Sequence, residues 1–126
     1  MRKVHKPSEL EYAILQVLWQ FGSGTVRDVH TKLSESREIV YTSVLKTLQI
    51  MTEKGLVIRD EAERAHVYTP SFSEEAAQGT IVTDLLQRVF SGSAQHLVLR
   101  ALQVQPSTRA EREEIRRLLD EMEKED

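Results

Sequence analysis

Apolar side chains recur at helical spacing in two short segments near the start of the chain. The first segment follows Ser8, and its predicted buried stripe contains Leu10, Ala13, Ile14, Val17, Leu18 and Phe21. Ser8 and Glu11 form a capping box, a pattern that starts a helix by bonding its free amides. After a break at Gly22-Ser23-Gly24, Thr25 and Asp28 repeat the pattern ahead of Val29 and Leu33. We therefore expect two helices in the first third of the chain.

A third helix is predicted over residues 40–54, and a β-hairpin follows it. Val44, Leu48 and Met51 share one face of this helix, and Gly55 ends it because glycine accepts the left-handed conformation of a helix stop. Residues 56–59 and 66–69 are rich in β-forming side chains and flank a charged segment. Three helices and a hairpin in this order indicate a winged helix-turn-helix.

The second half of the chain is predicted to be helical throughout. Helices are expected over residues 74–90 and 94–102, and Thr108 with Glu111 caps a last one. The predicted fold class is mainly α: a winged helix-turn-helix in residues 1–70, then a three-helix dimerisation arm in residues 71–126.

The apolar content of this arm exceeds what a short tail can cover by itself. Its widest stripe contains Ile81, Val82, Leu85, Leu86 and Val89. Burying each such side chain is worth about 1.5–3 kcal/mol, so exposure favours association, and two-fold dimers are the commonest oligomers. The residues expected at or near a homodimer interface are Leu85, Val89, Leu97, Leu118 and Met122. The alternative is that the arm folds back on its own N-terminal domain.

The third helix carries a polar face opposite its buried one. With Val44 at the centre of the buried face, the opposite face collects Thr42, Ser43, Lys46, Gln49, Ile50 and Glu53. A recognition helix presents its N-terminal turns to base edges in the major groove, where hydroxyls, amides and lysine can bond. The predicted hairpin turn adds Arg59 and Arg64, which suit contacts with the phosphate backbone. The DNA-contacting residues are thus predicted to be Tyr41, Thr42, Ser43, Lys46, Gln49, Arg59 and Arg64. A solvated polar face and turn would show the same residue types.

The charge distribution permits DNA binding without requiring it. The net charge is −3, but residues 1–70 contain 10 basic and 9 acidic residues, whereas residues 71–126 contain 7 and 11. The chain has no cysteine, no apolar stretch long enough to span a membrane and no signal-peptide pattern. A cytoplasmic protein without membrane insertion is expected.

Enzyme chemistry is poorly supported by the residues. His5, His30, His66 and His96 lack metal-ligand spacing, and thiolate ligands are absent. No nucleophile motif or glycine-rich phosphate loop occurs. We expect no catalytic residues, metal or cofactor. The open alternative to a DNA-binding repressor is a winged helix that binds another protein.

An ordered set of short motifs resembles the BlaI/MecI/CopY family, the penicillinase-repressor family. The motifs are Leu10-Glu11, Val17-Leu18-Trp19, Thr25-Val26-Arg27-Asp28-Val29, Tyr41-Thr42-Ser43-Val44-Leu45-Lys46-Thr47-Leu48, Glu53-Lys54-Gly55-Leu56-Val57, His66-Val67-Tyr68, Phe90-Ser91-Gly92-Ser93 and Leu97-Val98-Leu99. The resemblance spans nearly the whole chain. It implies a dimeric bacterial repressor that binds dyad-symmetric operators ahead of genes for β-lactam resistance or copper handling.

The resemblance also implies how such a repressor is released. Members that respond to β-lactams are inactivated when a membrane sensor-protease triggers cleavage in the C-terminal domain. The bond cut in the staphylococcal members joins Asn and Phe, and the matching position here reads Arg100-Ala101, the candidate cleavage site. Copper-responsive members end in a cysteine cluster, so metal sensing of that type is not expected in this chain. Release by a ligand stays an alternative to proteolysis.

Overall fold

The computed structural model describes residues 7–126, which form six helices and one antiparallel hairpin. Their order is α1 (Glu9–Phe21), α2 (Val26–Leu33), α3 (Tyr41–Lys54), β1 (Val57–Asp60), β2 (Val67–Pro70), α4 (Glu74–Arg88), α5 (Ala94–Val104) and α6 (Arg109–Glu125). This element order confirms the predicted fold class. Each strand lies one residue later than its predicted segment, and α4 ends at Arg88 rather than at residue 90.

Local capping bonds and one glycine account for where several of the helices begin or end. The Glu11 amide donates to Ser8 Oγ, and the Ser8 amide donates to Glu11 Oε1, at 3.2 and 2.8 Å. Thr25 with Asp28 and Thr108 with Glu111 form the same reciprocal pair at α2 and α6. Gly55 takes the left-handed conformation after α3, with φ of 79°. These short-range patterns stop and start helices whatever surrounds them.

The core of the N-terminal part lies between the first three helices and the hairpin. Its fully covered side chains are Ile14, Leu15, Leu18, Val29, Val44, Leu48, Met51 and Tyr68. Two details of the expected α1 stripe are wrong: Phe21 is 57% exposed, whereas Leu15, outside the stripe, is fully buried. The reason is that α1 packs against α2, α3 and β2, so its covered arc is wider than one stripe. Phe21, its last residue, projects where the chain turns at Gly22.

The hairpin is joined to the helices through Gly24. Strand β1 pairs with β2 so that Arg59 lies opposite Tyr68 and Asp60 opposite Val67. Gly24 and Tyr68 exchange two backbone hydrogen bonds, at 3.0 and 2.8 Å, which add a third short extended segment beside β2. The hairpin and the loop before α2 therefore hold each other in place.

The chain divides into two compact units after Gly79, within α4. Residues 71–79 belong to the first unit because the Trp19 indole N–H donates to the Phe72 carbonyl at 2.9 Å and Ala77 is buried. We call residues 7–79 the N-terminal unit and Thr80–Asp126 the C-terminal unit. The sequence places the domain boundary after residue 70, and the role given to each domain stays a prediction.

Candidate nucleic-acid interface

Helix α3 separates its apolar and polar residues into two opposite faces, as the sequence predicts. Val44, Leu48 and Met51 are fully buried and attach the helix to the core. The opposite residues are all exposed, and they are Tyr41, Thr42, Ser43, Lys46, Gln49, Ile50 and Glu53. The five predicted α3 contacts thus lie on the uncovered side of a helix whose other side is anchored. This arrangement suits a helix that is held firmly on one side while its other side enters a groove of double-stranded DNA.

The N-terminus of α3 differs from those of α1, α2 and α6. Its N-cap is Val40, which is 63% exposed and makes no side-chain capping bond. The Ser43 amide donates to the Val40 carbonyl at 3.1 Å, so the amides that lack a capping partner are those of Tyr41 and Thr42. The helix dipole adds partial positive charge at the same place. An uncapped helix start of this kind is suited to an anionic group such as a phosphate.

The turn between α2 and α3 is held by His30, to which the sequence assigned no function. Its Nε2 lies 2.8 Å from the carbonyl of Ile39, and its ring meets Tyr41 edge-on at 5.8 Å between centroids. His30 thereby connects α2 to the residue that starts α3. Metal-ligand and catalytic spacing could not reveal this role, because the bond joins residues nine positions apart across a turn.

The structure gives different surroundings to the two arginines predicted in the hairpin. Arg59 forms an ion pair with Glu61, with 2.7 Å between Nη2 and Oε1. Arg64 is exposed and forms no ion pair with any residue from 7 to 126. Arg64 therefore has its full charge available to a partner, whereas the charge of Arg59 is partly neutralised inside the protein.

Two further exposed cations of the N-terminal unit were missed by the sequence analysis. Arg27 of α2 and Arg37 of the following loop form no ion pair in the described part of the chain, and the same holds for Lys46. By contrast, Lys32 pairs with Glu35. A signal was present in the sequence: neither Arg27 nor Lys46 has an acidic residue three or four positions away, the spacing at which helical ion pairs form.

The C-terminal end of α3 is joined to α1 by an ion pair between exposed Lys54 and buried Glu11. Lys54 Nζ lies 3.1 and 3.0 Å from the two carboxylate oxygens of Glu11, which is only 2% exposed. Burial raises the pKa of Glu11, but the hydrogen bond from the Ser8 amide and the ammonium of Lys54 outweigh it and hold the pKa below its ordinary value. Glu11 is therefore ionised at neutral pH.

The predicted dimer residues lie in the C-terminal unit, and most are uncovered in the single chain. Leu85, Val89, Leu118 and Met122 are exposed and Leu97 is half-buried. Helices α5 and α6 contain no buried residue. Four of the five side chains are thus exposed within residues 7–126, and the place of all five in an interface stays a prediction.

The candidate cleavage bond, Arg100-Ala101, lies inside α5. Both residues are exposed, and Arg100 Nη1 donates to Gln103 Oε1 at 2.6 Å. The side chains are accessible, but the backbone of this bond is helical. A protease needs an extended backbone, so the helix has to open locally before it is cut.

The described part of the chain shows no group of metal ligands and no membrane-spanning helix. Within residues 7–126 no three His, Asp or Glu side chains come together as possible metal ligands. His30 has the local role given above, and His66 and His96 are exposed. His5 lies outside the described residues. No helix among residues 7–126 has the length and apolar character needed to cross a bilayer.

Comparison with known proteins links most of the chain to one family of regulators. A family model described as penicillinase repressor matches residues 7–121. The transcriptional regulator BlaI of Mycobacterium tuberculosis (strain H37Rv) is 38% identical over 97 residues, which are 75% of this chain and 70% of that protein. The penicillinase repressor of Bacillus licheniformis is 24% identical over 121 residues, which are 96% of this chain and 94% of that protein.

Two solved structures have a similar fold. The solution structure of the DNA-binding domain of the repressor BlaI superposes with a TM-score of 0.52 and 26% identity, covering 59% of this chain and 90% of that one. The solution structure of monomeric Bacillus licheniformis BlaI in complex with the blaP half-operator gives 0.51 and 25%, covering 60% and 92%. Both agree with the winged-helix fold class predicted from the sequence.

Proposed function

Because the chain belongs to the penicillinase repressor family, we propose that it is a dimeric bacterial transcriptional repressor that binds a dyad-symmetric DNA operator. The observation that carries this proposal is the anchored α3, which exposes Thr42, Ser43, Lys46 and Gln49 on one side. The family match agrees with the resemblance found in the sequence motifs. We propose that it acts in the cytoplasm, and operator binding by itself requires no catalytic residue, metal or cofactor.

We propose that α3 enters the major groove with its N-terminal turns foremost. The groove is about 12 Å wide and admits one helix. Thr42, Ser43, Lys46 and Gln49 then contact base edges, and the uncapped start of α3 with Tyr41 contacts a phosphate. Support comes from the B. licheniformis BlaI of similar fold, which was solved with a half-operator.

The free cations of the N-terminal unit are proposed to bind the DNA backbone. Arg27, Arg37 and Arg64 are exposed and unpaired within residues 7–126, so each can neutralise a phosphate and release counterions. Arg59 is expected to contribute less because Glu61 competes with the DNA for it. The net charge of the whole chain therefore understates its DNA affinity, since the entire acidic excess lies in residues 71–126.

Dimerisation is proposed to occur through the C-terminal unit. Leu85, Val89, Leu118 and Met122 are exposed in the single chain, and a two-fold partner would remove them from water. A dimer with two winged-helix units binds a symmetric operator far more tightly than a single unit does. Once the first unit is bound, the second binds its half-site at a high effective concentration.

Release is proposed to follow cleavage between Arg100 and Ala101, triggered by a membrane sensor-protease system. The cut would detach α6 and remove Leu118 and Met122 from the dimer. Loss of a buried aliphatic side chain costs about 2–5 kcal/mol, so several losses exceed what a modest dimer tolerates. Immunoblots of the source bacterium exposed to a β-lactam test this step. A full-length band that persists while the target genes are induced points to release by a ligand instead.

Selection of DNA fragments tests the main proposal. The full-length chain is mixed with random genomic fragments, and the bound ones are sequenced. A repressor selects a small set of dyad-symmetric sites and loses affinity steeply with salt. Sedimentation without DNA should give twice the 14.5 kDa chain mass. A folded chain that selects no site would favour the protein-interaction module, and a folded monomer would refute the dimer.

A further inference from the structure

The ion pair between Glu11 and Lys54 is the most unusual electrostatic feature of the N-terminal unit. Among residues 7–126, Glu11 is the one charged residue that is buried. Its Oε1 accepts hydrogen bonds from the Ser8 amide, at 2.8 Å, and from Lys54 Nζ, and its Oε2 also accepts from Lys54. The two partners are 43 positions apart in the chain. The pair therefore joins two separate elements, whereas a capping box acts within one.

Lys54 lies on the same helix as the proposed base contacts, so the ion pair can affect how those contacts are placed. Lys54 is the last residue of α3, and the proposed base contacts begin at Thr42, near the other end. The axial distance between these two residues is about 18 Å at 1.5 Å per residue. A tilt of about 5° at Lys54 would therefore move the reading end by about 1.5 Å, more than the roughly 0.5 Å that a precise recognition site tolerates.

We propose that the Glu11–Lys54 ion pair is a positioning device for α3: it sets the angle of the recognition helix against α1 and so controls operator specificity. This inference rests on the proposed function. Glu11 and Lys54 are positioning residues that do not contact DNA. The base contacts depend on the pair through the orientation of the helix that carries them.

The ion pair adds direction to an otherwise apolar attachment of α3. Val44, Leu48 and Met51 hold α3 by burial, and apolar burial is non-directional, so it permits small rotations. The ion pair adds little net stability because the desolvation of buried Glu11 offsets its attraction to the exposed Lys54. Its hydrogen bonds nevertheless have defined geometry, and three of them meet at one carboxylate. Orientation is therefore the property that this pair supplies best.

Glu11→Gln and Glu9→Gln provide a matched test. Both positions lie in the first turn of α1, but Glu9 is exposed and forms no ion pair in the described part of the chain. Both substitutions make the net charge one unit more positive, which by itself strengthens binding to any DNA. We expect Glu9→Gln to keep the ratio of operator affinity to random-duplex affinity. We expect Glu11→Gln to lower that ratio about tenfold, comparable to the loss of one base contact.

A second pair of variants separates orientation from charge and folding. The double variant Glu11→Gln with Lys54→Met keeps the wild-type net charge and an oxygen that can accept from the Ser8 amide, but it lacks the ion pair. We expect it to fold and to show the same loss of specificity. Lys54→Arg keeps a cation at this position and should retain most of the wild-type ratio of operator affinity to random-duplex affinity. All affinities are measured by fluorescence anisotropy at a temperature where circular dichroism shows each variant folded.

The outcomes distinguish the inference from the proposed function. If the wild-type chain selects no operator, the proposed function fails and the inference fails with it. If the wild type selects an operator and the folded double variant keeps the wild-type specificity ratio, the positioning role alone is refuted. A loss of affinity that is equal for operator and random duplex would also refute it, because orientation affects base reading and leaves general phosphate attraction unchanged.

Discussion

Replacing the two hairpin arginines one at a time tests whether ion pairing inside the protein decides which cations bind DNA. Arg64 is exposed and unpaired within residues 7–126, whereas Arg59 is paired with Glu61 at 2.7 Å. We expect Arg64→Ala to reduce the salt dependence of operator binding clearly. Arg59→Ala, the control of equal charge change in the same hairpin, should reduce it less, because Glu61 already neutralises part of that charge.

The magnitude follows from the free cations of the N-terminal unit. Arg27, Arg37, Lys46 and Arg64 are unpaired in the described part of each chain. Lys46 is assigned to a base edge, so a dimer that places the three arginines on phosphates has a slope of log affinity against log salt of about −5.4, at about 0.9 per phosphate. Basic residues at positions 1–6 would steepen this slope. Arg64→Ala removes one cation from each protomer and should bring the slope to about −3.6.

Fluorescence anisotropy with a labelled operator measures this slope. Between about 50 and 200 mM salt, the wild-type affinity should fall by roughly three powers of ten and that of Arg64→Ala by about two. Equal slopes of log affinity against log salt for Arg59→Ala and Arg64→Ala would show that the ion pair with Glu61 does not weaken the contact of Arg59 with DNA. A wild-type slope near zero would refute phosphate contacts altogether.

Three further predictions concern base reading, packing and pH. Lys46→Ala and Thr42→Ala should each cost about 1–3 kcal/mol of operator affinity if their side chains contact bases; unchanged affinity in titrations of both would show that α3 is oriented differently. Leu48→Ala should lower the free energy of unfolding in urea by about 2–5 kcal/mol because Leu48 is fully buried; a loss under about 1 kcal/mol would contradict tight packing there. The folded pKa of Glu11 lies below the 4.5 of a free glutamate, so its contribution to stability is present above pH 4.5 and is lost as the pH falls through the folded pKa. Urea unfolding from about pH 6 to 3 should therefore show a smaller acid loss for Glu11→Gln than for the wild type, and identical pH profiles would contradict the ionised pair.

The sequence by itself determined the elements and the two faces of α3. Ser8 with Glu11 and Thr25 with Asp28 start helices, and Gly55 ends one, because these signals act between residues within about one helical turn. The buried and exposed sides of α3 followed from helical periodicity alone, since one side of the helix has to face the core. The ordered motifs also identified the family that the comparisons found.

Only the tertiary structure decided which of these residues are available to a partner. It paired Arg59 and left Arg64 free, it buried Leu15 and exposed Phe21, and it joined Glu11 to Lys54 across 43 positions. Periodicity describes one helix at a time, whereas these outcomes depend on which neighbouring elements cover that helix. The free energy of an ion pair depends on distance and burial, and for residues far apart in the chain both are set by the packing of the whole unit.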